Sequence, residues 1–134
     1  MKAIARVIAF TFLFVFAFAV AADKATVAEL LNDPAKFDGK VLTVTGKAKN
    51  FKAKTSKAGN NYFTFQIEEK GKTINVYGRG ELAKAPKDGE KVEATGKFAK
   101  EKDMKSFTVK NELDVSKVSG EKGSETNGVR LLDK

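Results

Sequence analysis

The chain has 134 residues, enough for one domain and too few for two comfortable ones. It contains no cysteine and no histidine, which excludes disulfides, thiolate nucleophiles, imidazole bases and the usual zinc ligands. Its formal charge is +8, from 25 basic and 17 acidic residues, which points to acidic partners and says nothing about fold.

The chain opens with "MKAIARVIAFTFLFVFAFAVAADK". Lys2 and Arg6 precede an apolar run from Val7 to Val20, and Ala19, Ala21 and Ala22 follow the small-residue rule for cleavage. This pattern predicts a secretory signal peptide over residues 1–22, cut after Ala21 or Ala22. The run is shorter than the roughly 20 residues a membrane span needs. No span is expected after cleavage, so the expected location is the periplasm or the medium. No cysteine is available to carry a lipid.

The expected domain covers residues 23–116. Thr26 and Glu29 have the spacing of a capping box, with the hydroxyl and the carboxylate each taking one free backbone N–H. Val27, Leu30 and Leu31 form a short apolar stripe, and Pro34 ends the helix at Asn32 or Asp33. After Gly39 the apolar period becomes two. Leu42, Val44 and Ala48 lead, followed by Phe63, Phe65 and Ile67, then Ile74 and Val76. Val92, Ala94 and Phe98 come next, and Phe107, Val109, Leu113 and Val115 close the series. Five strands are predicted, with "EEKGK" as a hairpin link between the second and third. "GKVLTVTG" and "GEKVEATG" echo each other, each with glycines seven apart. Glycine within a strand fits a sharp bend, and two such strands suggest a closed small barrel. From Lys117 to Lys134 the composition turns to Gly, Ser and charge, which predicts a flexible tail.

The segments "GKVLTVTGKAK", "YFTFQIEEKGKTINVYG", "KDGEKVEATGKF" and "SFTVKNELDV" together resemble an oligonucleotide/oligosaccharide-binding (OB) fold. The order is similar to the exported bacterial OB-fold family and to OB domains of the anticodon-binding type, over about Thr26 to Val115. The resemblance implies an all-β, five-stranded Greek-key barrel with a short N-terminal helix. It also implies a binding surface on the outer face of the second and third strands, between two bounding loops.

Alternation places Tyr62, Thr64, Gln66, Thr73, Asn75 and Tyr77 on that outer face. The bounding segments "NFKAKTSKAGNN" and "FAKEKDMKSF" supply Lys52, Lys54, Lys57, Lys100, Lys102 and Lys105, and Arg79 ends the third strand. Rings that stack and cations that neutralise phosphates suit a flexible anion, with single-stranded nucleic acid first and acidic glycan next. Against this stands an ordinary reading, in which tyrosine is a good strand former and loop lysine keeps a small protein soluble. Two alternatives remain open. One is an accessory periplasmic protein binding a peptide, glycan or small ligand; the other is a module that meets an acidic protein. No enzyme is expected, because no nucleophile, acid/base pair or phosphate-cradling loop is present, and "GRG" at Gly78 to Gly80 lacks the lysine and hydroxyl spacing of a P-loop. No catalytic residue, metal site or cofactor is expected either.

Overall fold

A computed structural model of the chain describes residues 23–116 and 128–132. The expected signal peptide therefore lies outside the described residues. A two-residue strand, β1 (Asp23–Lys24), leads into helix α1 (Val27–Asn32). Thr26 caps α1 by accepting the Glu29 backbone N–H at 3.1 Å. The Glu29 carboxylate accepts the Thr26 hydroxyl at 3.1 Å, so the second half of the expected capping box is a side-chain bond. Val27 and Leu30 are fully buried where α1 meets the barrel strands. Pro34 ends that helix but also starts another, α2 (Pro34–Phe37). At the first position of a helix the missing N–H costs nothing.

Five long strands follow: β2 (Val41–Thr55), β3 (Asn61–Glu69), β4 (Lys72–Arg79), β5 (Lys91–Asp103) and β6 (Thr108–Asp114). They close a ring in the order β2–β3–β4–β6–β5 and back to β2, with β4 and β6 parallel and the other neighbours antiparallel. This is the five-stranded OB barrel with a short N-terminal helix that the pattern predicts. Lys70 and Gly71 turn β3 into β4 with φ of 51° and 78°. Two successive positive φ values match the right-handed twist of a tight hairpin. Phe63, Phe65, Ile67, Ile74, Val76, Val92, Ala94 and Phe98 are buried as the alternation requires.

Three expectations are corrected. The first concerns the bounding segments, which are mostly strand. β2 continues to Thr55 and turns only at Ser56–Asn60, while β5 continues to Asp103 and turns at Met104–Phe107. At Asn50, with φ of 56°, the ladder to β3 shifts register and β2 bends out of the barrel as a ribbon.

The second concerns Phe107 and Val109. Phe107 is 60% exposed and Val109 half-buried, although Leu113 and Val115 on the same strand path are core. Asn111 has φ of 52° and leaves the β5–β6 ladder unpaired at that step, so the hairpin beyond it projects past the core.

The third concerns the tail. A short strand, β7 (Val129–Leu131), pairs antiparallel with β5 at Val92–Ala94. Thr95 N–H donates to the Gly128 carbonyl at 2.6 Å and Leu132 N–H to that of Lys91 at 2.9 Å. The β5 edge there has no β6 alongside it, and β7 satisfies its backbone groups. Residues 117–127 lie outside the described residues.

Phe65 is buried between Phe63 and Phe51, with ring centroids at 6.2 and 6.1 Å. Phe65→Ala should destabilise the domain by about 3–5 kcal/mol in urea unfolding. A loss below about 1 kcal/mol would place the ring outside the core.

Candidate ligand-binding face

The cross-strand register builds one continuous face. Tyr62 lies opposite Arg79, Thr64 opposite Tyr77, and Gln66 opposite Asn75. On the other side of β3, Lys54 faces Tyr62 and Lys52 faces Thr64. Each of these β3 and β4 positions alternates with a core residue, so the pleat holds the side chains outward. The Tyr62 and Tyr77 rings are diagonal neighbours, with centroids 5.8 Å apart and planes inclined at 38°. A depression of about 520 Å³ is lined by both rings with Ser56, Asn60, Asn61, Arg79 and Gly80.

Beside it lies a second depression of about 650 Å³, whose polar lining includes Lys52, Lys54, Thr64, Gln66, Asn75, Lys110 and Glu112. Asn50 donates from its side-chain amide to the Gln66 side-chain carbonyl at 3.0 Å, and Asn75 donates to the Lys110 backbone carbonyl at 3.1 Å. These bonds hold the two ribbons against the face.

Lys102 links the two depressions. Its Nζ stands 5.1 Å from the centroid of Tyr77 and 3.7 Å from Glu112 Oε1. A cation at that distance is attracted by the negative face of the ring. Glu112 is buried beneath it, and burial pushes its carboxyl above the ordinary carboxylate range. The Lys102 charge opposes that rise and the Asp114 charge adds to it.

Of the twelve residues expected to bind, nine come together here: Tyr62, Thr64, Gln66, Asn75, Tyr77, Arg79, Lys52, Lys54 and Lys102. Lys57 and Lys105 sit in the turns at the ends of the two ribbons. Lys100 lies elsewhere: its backbone N–H is held by the Asp38 carboxylate at 2.9 Å, beside α2. Sequence reasoning missed Glu112, Lys110 and Asn50. Glu112 reaches the face because β6 runs parallel to β4 and brings it opposite Asn75. That pairing leaves no local signal. Among the described residues no group of three or more acidic, His or Cys side chains is placed to hold a metal ion.

The CcmE domain profile matches residues 23–114, the leading helices and all five barrel strands. The chain belongs to the CcmE domain family. Among curated proteins none matches the chain significantly. A solved structure, the crystal structure of yeast Stn1 and Ten1, superposes with a TM-score of 0.58 at 10% identity. It covers 88% of this chain and 66% of that one, and at this identity the likeness shows the fold alone.

Membership decides several points. CcmE domains are OB-fold haem chaperones of cytochrome c maturation, so the OB resemblance stands, while the family is this one in place of the exported OB-fold and anticodon-binding families named above. The expectation of an extended anion, with single-stranded nucleic acid first, is overturned: the family binds haem. The expected acidic glycan or acidic protein partner falls with it, since the family works with cytochrome c maturation proteins. Members of this family are chaperones and not enzymes, in line with the expectation of no enzyme. Family members act in the periplasm and are usually membrane-anchored. No helix among the described residues is long and apolar enough to cross a membrane.

The chain narrows how haem could be held. Protein ligands to haem iron are His, Cys, Met and Tyr. This sequence has no His and no Cys, two Tyr and two Met. Both tyrosines stand on the face described above, and Met104 is at the tip of the β5–β6 ribbon.

Between the ordinary carboxylate range and its raised folded value, Glu112 holds more proton in the folded protein than in the unfolded one. Its contribution to stability is therefore lost as pH rises through that window. Glu112→Gln should flatten the pH dependence of the urea midpoint there. An unchanged slope in the variant would assign that dependence to other carboxylates.

Proposed function

We propose that this protein is a periplasmic haem chaperone that carries its cargo reversibly on the β3–β4 face, without a bond to histidine or cysteine. The observation that carries this reading is the pairing of Tyr62 and Tyr77 on the face of a CcmE domain that lacks both other residue types. A tetrapyrrole is a flat conjugated ring with two carboxylates at one edge. The tyrosine rings offer a surface to stack on, and their phenolic oxygens offer the iron a ligand. Lys52, Lys54 and Arg79 border the rings and suit the carboxylates. Lys102 lies over Tyr77, so a stacked ligand must displace it or share the ring with it. A carrier that must release its cargo gains from an open face and few strong bonds.

Haem titration of the exported protein, followed by its visible absorption, tests this. Tyr77→Ala or Tyr62→Ala should weaken binding by about tenfold. The corresponding Phe variants should keep much of the affinity and change the iron spectrum where that tyrosine is the ligand. If all four variants bind with wild-type affinity and spectrum, the face is not the haem site.

The same reading includes export with release from the leader after Ala21 or Ala22. The apolar run from Val7 to Val20 is short for a span and ends in small residues. N-terminal sequencing of the native protein should begin at Ala22 or Asp23. Intact Met1 in a membrane fraction would instead show a retained anchor, as is usual in the family.

A further inference from the structure

We infer that the end of the barrel bearing the β5–β6 hairpin docks onto an anionic phospholipid bilayer, with Met104 and Phe107 entering its interface. The exposed large apolar residues among those described are Val41 at 38%, Met104 at 42% and Phe107 at 60%. Met104 and Phe107 share the tip of the β5–β6 hairpin, and Val41 lies near its base. Val41 begins β2 and pairs with Lys97 of β5, and β5 runs on from there to the hairpin tip. The tip is a tight turn, with Met104 N–H donating to the Phe107 carbonyl at 2.8 Å. The Asp103 carboxylate, accepting the Thr108 hydroxyl at 3.2 Å, braces it from within. An ordered turn that presents a phenylalanine and a methionine to water is a wedge that none of the described residues covers.

Two observations select a bilayer as the occupant. The first is charge: Lys100 and Lys105 are exposed on the hairpin, and Lys40 and Lys97 at its base. Their stems can lie along apolar surface while the ammonium groups meet lipid phosphates. Glu101 and Asp103 reduce the net charge but leave lysine in excess. The second is order: the bond from Met104 N–H to the Phe107 carbonyl closes the turn, so both exposed apolar side chains are held at its tip. A basic rim with apolar side chains inside it is the pattern of interfacial binding.

The absence of cysteine makes a site-specific test clean. Phe107→Cys and, at the tip of the opposite ribbon, Lys57→Cys are each labelled with an environment-sensitive dye on the exported protein. On phosphatidylcholine vesicles containing phosphatidylglycerol, the dye at position 107 should shift to the blue and brighten, while the dye at 57 should not. Both positions should stay water-like when protein and vesicles are kept apart. Unlabelled protein carrying Met104→Asp and Phe107→Asp should sediment with these vesicles about tenfold more weakly than wild type, at unchanged thermal stability. The inference is overturned if the dye at 107 stays water-like on anionic vesicles, if both dyes respond equally, or if it responds only to a purified protein partner. Haem titration in solution is independent of the outcome, so this test and that of the haem site fail separately.

Discussion

Two close backbone approaches make the rest of the structure possible. At Gly46 a Cβ would lie 2.7 Å from the Glu68 carbonyl oxygen, and at Gly96 it would lie 2.2 Å from that of Asp114. These are the places where β2 passes from β5 to β3, and where β5 passes from β2 to β6. A side chain at either would push the neighbouring strand away and hold the sheet open. With the sheet closed, sixteen apolar residues among those described share one core, and α1 plugs it with Val27 and Leu30. An open five-stranded sheet would leave two unpaired edges and expose apolar side chains that closure buries.

Closure also fixes where the face can be. Strands that curl around a small barrel separate again where they outrun it. β2 with β3, and β5 with β6, continue as ribbons beyond the core. Asn50 and Asn111, each in the left-handed region, mark where these ribbons leave it. The ribbons flank the outer surface of β3 and β4, and Lys102 reaches back from one of them to lie between Tyr77 and Glu112. The buried carboxylate holds that lysine over the ring. It couples the second depression, where Glu112 lies, to the first, where Tyr77 lies.

What the sequence made legible was whatever depends on near neighbours. Strict alternation in "YFTFQI" and "TINVY" gave the core and the outward face, and "EEKGK" gave the hairpin. The glycine echo pointed to the bends. Contacts between distant segments were not legible. "NFKAKTSKAGNN" and "FAKEKDMKSF" are mostly strand, but after Phe51 and Phe98 none of their side chains is buried in the core, so their lysines read as loop. "GVRLL" became a strand because β5 had a free edge, which no local pattern announces. Glu112 needed the parallel pairing of β4 and β6. The ligand was misread for a chemical reason. Rings with a cationic border suit a stacked base beside phosphate and equally a conjugated macrocycle with carboxylates, and residue types alone do not separate them.

The absence of histidine and cysteine is the feature of this CcmE domain with the largest consequence. For the haem carriage proposed above it leaves stacking, phenolic oxygen, the Met104 thioether and paired charge, and each of these releases its cargo when the protein unfolds. The most direct measurement is denaturing gel electrophoresis of the native protein from haem-replete cells, stained for haem and then for protein. The account predicts haem in the native protein, visible by absorption, and none migrating with the denatured chain. Haem that stays with the denatured chain, or a native protein that never acquires it, would contradict the account.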